Sequence, residues 1–135
     1  MKRLLFLSFL VLIVSPGCDS GSDGPPQLDG DYTLETQDAV ATYTYEVTLN
    51  ESNQSLSGNG TLTIEDRGSP QAATLDLDVE GSHDHPSARI EMIVLDVETN
   101  DRITLDGEVS DGAERISGTL TFPNGSQQQV TMRRE

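Results

Sequence analysis

The stretch Arg102–Phe122, RITLDGEVSDGAERISGTLTF, decides the fold. Ile103, Leu105, Gly107 and Val109 alternate with Arg102, Thr104, Asp106 and Glu108. After Ser110-Asp111-Gly112-Ala113 the alternation resumes, with Ile116, Gly118, Leu120 and Phe122 against Arg115, Ser117, Thr119 and Thr121. Successive side chains of a strand point to opposite faces. A period of two over both arms, with Asp-Gly between them, therefore reads as strand, turn, strand.

The same grammar runs outward in both directions. Upstream it predicts strands over Gly30–Thr36, Ala39–Leu49, Gln54–Ile64, Ala72–Glu80 and Ser87–Val97. Downstream it predicts one over Gln127–Arg134, after the turn Pro123-Asn124-Gly125. Turns fall at Asn50–Asn53, Asp66–Pro70, Gly81–Pro86 and Glu98–Asp101, where Asn, Asp, Gly and Pro cluster. Gly58 and Gly60 fall on the inner parity of the third strand and predict a sharp bend there. No amphipathic helical period occurs. Eight antiparallel strands joined by short hairpins close most simply into an all-β up-and-down meander barrel, which leaves no free sheet edge. A two-sheet β-sandwich is the alternative.

Residues 1–17 read as a signal peptide. Lys2-Arg3 is a charged start, Leu4–Val14 an apolar run of 11 residues, and Ser15-Pro16-Gly17 a small-residue stretch before Cys18. Eleven residues at about 1.5 Å each fall far short of a hydrocarbon core of about 30 Å, so the run does not span a bilayer. The segment resembles a bacterial lipoprotein signal, with Ser15 where that family usually carries Leu. The resemblance implies cleavage before Cys18 and two or three acyl chains on it, enough for stable anchoring. Ordinary secretory cleavage after Gly17 is the other reading. Cys18 is the only cysteine, so no intramolecular disulfide exists. Residues 18–29 then read as the acylated cysteine and a flexible tether, rich in Gly, Ser, Asp and Pro. Asp19 resembles an inner-membrane retention signal of enteric bacteria; which membrane holds the chain stays open. Residues 30–135 make the barrel domain.

The formal charge is −15, and loss of Lys2 and Arg3 takes it to −17. Lys2 is the only lysine, so the remainder carries six arginines. Such a field repels nucleic acid and anionic lipid surfaces, and no nucleic-acid partner is expected. The carboxylates are spread over many strands, which suits solvation in salt. An acid-rich, lysine-free surface resembles proteins of extreme halophiles.

Candidate chemistry is sparse. His83-Asp84-His85 is the one histidine constellation. In extended chain both imidazoles share a face and could hold Zn²⁺ or Cu²⁺, but a solvated turn closed by Pro86 is the favoured reading, and no metal is expected. Asp29-Gly30-Asp31 and Asp76/Asp78 are oxygen-ligand candidates for Ca²⁺ without EF-hand spacing. With the single thiol assigned to the anchor, and both histidines in one turn, no catalytic set is recognisable; the chain is expected to be no enzyme and to need no cofactor. Tyr43, Tyr45, Met92, Gln128 and Met132 share the inward parity. They read either as core or as the lining of a site for one small apolar ligand.

The chain also resembles the lipocalin-like, or calycin, barrels. Gly30-Asp31-Tyr32 stands where that group has Gly-x-Trp on its first strand, and Arg134 stands near its last-strand arginine. Closure between the first and last strands would bring Arg134 over the Tyr32 ring at one end and leave the other end as the mouth. The expected partners are membrane lipid through Cys18, and an envelope protein or a small apolar ligand at the barrel.

Overall fold

In the computed structural model the described residues are 25–95, 98 and 101–135. The predicted signal peptide, Cys18 and most of the predicted tether lie outside them. So does the predicted end of the fifth strand at Asp96-Val97.

Eight strands follow in order: β1 (Gly30–Gln37), β2 (Ala41–Ser52), β3 (Ser55–Asp66), β4 (Ala72–Asp84), β5 (Ser87–Val94), β6 (Arg102–Val109), β7 (Arg115–Thr121) and β8 (Gln127–Arg134). Each pairs antiparallel with the next, and β8 pairs with β1 to close the barrel. Closure excludes the two-sheet sandwich. The hairpin of β6 and β7 is the one its alternation predicts, with Leu105 opposite Leu120 and Val109 opposite Ile116.

Several boundaries differ from the sequence reading. Asn50–Asn53 is not a turn. β2 and β3 run on to the pair Ser52–Ser55, and the reversal is made by Asn53 and Gln54, at φ 51° and 67°. Two central residues with positive φ match the right-handed twist of the strands they join. Gly81–Pro86 is not a turn either. β4 continues to Asp84, with Gly81 opposite both Leu56 and Ile90.

Inward residues of all eight strands form one core, with Tyr45, Leu49, Leu62, Leu77, Ile90, Met92, Leu105, Ile116, Leu120 and Met132 buried in it. Gly58 and Gly60 let the backbones of β2 and β3 approach. A Cβ on Gly58 would overlap the Thr48 carbonyl oxygen, and one on Gly60 the Glu46 carbonyl oxygen. The outer face is polar, and its arginines pair across strands: Arg89 with Asp106 at 2.7 Å, Arg102 with Glu91 at 2.9 Å.

One end is stoppered. Leu28, read from sequence as tether, is fully buried beneath β1. Its backbone N–H donates to Glu51 Oε2 at 2.7 Å, and the Glu51 N–H donates to Asp29 Oδ1 at 2.8 Å. Tyr32 is buried above it, its hydroxyl donating to the Ala113 carbonyl at 2.7 Å. Arg134 lies opposite Tyr32 in register, its guanidinium carbon 5.7 Å from the ring centroid. Arg134 Nη2 donates to the Asp29 carbonyl.

Candidate functional site

The opposite end is open. A cavity of about 440 Å³ lies at the mouth ends of β1–β3 and β6 and the β7–β8 turn. Its apolar wall includes Leu62, Ile64, Leu75, Val94, Ile103 and Phe122. These residues sit on the inner parity of their strands, but the core beneath them is filled and the space above them is not.

Of the five residues expected to line a ligand site, Tyr43, Tyr45 and Gln128 line this cavity. Met92 and Met132 do not. They are fully buried in the core beneath it, Met92 between Val79 and the cavity-lining Ile103 in register, and Met132 opposite Ile116. Parity along a strand fixes which face a side chain takes, but not its height in the barrel.

The polar groups of the mouth gather around Asp38, in the β1–β2 turn. Its Oδ1 accepts from the Val40 and Ala41 N–H groups, both at 2.8 Å, and its Oδ2 from the Tyr43 hydroxyl at 3.0 Å. The Val40 and Ala41 N–H groups hold the Asp38 carboxyl below the usual aspartate range, helped by the Tyr43 hydrogen bond and the charge of Arg67. The same bond to Asp38 raises the Tyr43 phenol, and burial pushes Tyr45 far above the ordinary tyrosine range. Thr36 lies opposite Tyr43 in register and also lines the cavity. It is 6% exposed, and its hydroxyl has no hydrogen-bond partner among the described residues. Nothing but its inward parity marked Thr36 in the sequence. Asp38 falls in the gap between the first two predicted strands, and nothing else marked it.

Two large apolar side chains of the described residues are exposed, Val40 at 62% and Leu95 at 46%. Val40 is in the β1–β2 turn and Leu95 follows β5, so both flank the mouth.

The histidines belong to the stoppered end. His83 is not in a solvated turn; it is 2% exposed and points inward from β4. Its Nδ1 lies 2.8 Å from Glu51 Oε2, the oxygen that also accepts from Leu28. His83 and His85 meet edge to face, with ring centroids 5.6 Å apart, and His83 Nε2 and His85 Nδ1 have no partner among the described residues. No group of three or more His, Cys, Asp or Glu side chains is placed to hold a metal ion among the described residues. The calcium candidates do not converge: Asp29 accepts from Glu51 N–H, Asp31 from the Thr48 hydroxyl, and Asp76 and Asp78 are exposed on β4.

Comparison of the chain with known protein families, with curated proteins and with solved structures finds no match.

Proposed function

We propose that the chain is a non-catalytic, lipid-anchored module of a bacterial envelope whose barrel carries one small, largely apolar ligand at its open end. The observation that carries this reading is the mouth cavity of about 440 Å³, which exceeds the roughly 300 Å³ that ligand sites begin at. A barrel of eight strands has room for core side chains or for one small ligand, and this one is stoppered below and unfilled above. The lipocalin-like resemblance supports the same reading, because the Arg134–Tyr32 contact is the one it requires. The anchoring half rests on the signal segment and Cys18.

Mass spectrometry of protein extracted from its native membrane tests both halves. The expected result is a Cys18 peptide carrying two or three acyl chains, and a small molecule released on unfolding. A free thiol on wild-type protein already soluble after cell lysis overturns the anchor. Failure of any apolar probe to bind overturns the carrier.

A second reading is an interaction module that docks an envelope protein on the mouth rim. Exposure of Val40 and Leu95 beside the cavity favours it. Replacing both with Ser separates the two readings, since a carrier keeps its ligand and a docking surface loses its partner.

A further inference from the structure

We propose that the ligand is a cationic amphiphile, an amine whose apolar body fills the cavity while its ammonium rests among Thr36, Asp38 and Tyr43. The inference depends on the carrier reading above and narrows it to one headgroup chemistry.

Three observations carry it. First, among the described residues the charged side chains lining the cavity are Asp38 and Asp101, and neither lysine nor arginine lines it. The cation beside Asp38, Arg67, is turned to Gln37 Oε1 at 3.0 Å and takes no part in the wall. A carboxylate or phosphate headgroup at this mouth would face two carboxylates with no cation in the described wall to receive it, whereas an ammonium would meet both with favourable charge. Second, Tyr43, Tyr45 and Phe122 line the cavity, and aromatic rings attract a desolvated cation. Third, the buried Thr36 hydroxyl lacks a partner in the cavity wall. Its oxygen can accept from an ammonium N–H, and a buried polar atom left unpaired signals a missing group. Tyr43 links the two polar positions: it lies opposite Thr36 and donates to Asp38. Because backbone N–H groups fix the Asp38 carboxylate, its charge is in place before any ligand arrives.

The test is calorimetric titration of the full chain in non-ionic detergent, with hexylamine, hexan-1-ol and hexanoate against a detergent blank. Six-carbon probes are of one length and differ in headgroup alone. Hexylamine is expected to bind at least about tenfold more tightly than hexanoate, with hexanol between them. Asp38→Asn and Asp101→Asn are each expected to weaken the amine and leave the alcohol unchanged. Asp101→Asn keeps the backbone bond from Val94 N–H to the Asp101 carbonyl, so it is informative even if Asp38→Asn unsettles the turn. Hexanoate binding as well as hexylamine overturns the headgroup assignment and leaves the carrier reading standing. So does an amine affinity insensitive to both substitutions. Absence of binding by all three overturns the carrier reading and this inference with it.

Discussion

The guanidinium of Arg134 covers the ring of Tyr32, with its central carbon 5.7 Å from the ring centroid, where the last strand meets the first. The contact ties three chain segments together, because Arg134 also donates to the Asp29 carbonyl and Tyr32 to that of Ala113. Gly30 makes room for it. Its φ is 121°, and a Cβ there would stand 3.3 Å from two guanidinium nitrogens. Arg134→Ala is expected to lower stability by roughly 0.5–2 kcal/mol. Gly30→Ala adds backbone strain to the displaced arginine and should cost more. Urea unfolding measures both, and an Arg134→Ala variant as stable as wild type would show the contact to be idle.

The stopper at the same end hangs on one carboxylate. Glu51 Oε2 receives both the Leu28 N–H and His83 Nδ1. Glu51→Ala leaves two buried polar groups short of a partner, at about 1–3 kcal/mol each. Leu28→Ala empties a fully buried site, at about 2–5 kcal/mol. Thermal melts of the two variants check this. Wild-type melting of Leu28→Ala would mean that residues before β1 add nothing to the barrel.

Alkali should unfold the protein through its tyrosines. Tyr32, Tyr43 and Tyr45 are its three tyrosines, and each phenol is raised above the ordinary 10.0. Burial is the main cause for Tyr32 and Tyr45, and the hydrogen bond to Asp38 for Tyr43. The folded pKa lies above the unfolded one, so the unfolded chain loses its protons first. Stability is then whole below pH about 10 and falls as pH rises through and beyond that value. Phenolate absorbance should rise together with loss of β-sheet circular dichroism, and Tyr45→Phe should move the alkaline midpoint upward. Three phenols titrating near pH 10 in a folded barrel would contradict this.

Salt should act in the opposite sense. At −15, or −17 if residues 1–17 are removed, the chain repels itself over about 30 Å at 0.01 M ionic strength and over about 3 Å at 1 M. The melting temperature is expected to climb from low to molar sodium chloride. A flat series would remove the argument for a salty habitat.

The seam between β1 and β8 should exchange its amide hydrogens first. Tyr32 faces Arg134 and Thr33 faces Arg133, and no register pair follows toward the mouth. There the strands are linked by the Gln128 side chain, which donates to the Gln37 carbonyl at 3.3 Å. By contrast β2 and β3 pair from Ala41–Asp66 to Ser52–Ser55. Amides in the mouthward half of β8 should therefore lose protection well before those of β3, and Gln128→Ala should speed them further. Equal protection across the two strands would show the seam to be as firm as the rest.

Much of the barrel is written in alternation. Leu105 and Leu120 face each other because an Asp-Gly turn separates two clean period-two runs. Tyr32 and Arg134 meet because both share their strand's inward parity and the meander has to close. What alternation cannot carry is height and punctuation. Met92 and Met132 share Tyr45's inward parity, yet both are buried in the filled core and do not line the cavity. Gly81, Ser82 and Pro86 read as a turn, though His83 keeps step with Leu77 and Val79 and the strand runs on through it. Leu28, alone among polar neighbours, was the one hint that the tether ends inside the fold.

The polypeptide enters the barrel through its stopper, at Leu28 and Asp29, and the cavity opens at the far end. Strands of about eight residues, tilted as barrel strands are, separate those ends by roughly 20 Å. If Cys18 carries the lipid, the membrane attachment enters the fold at the stoppered end, and the far end is left free of it for cargo to come and go.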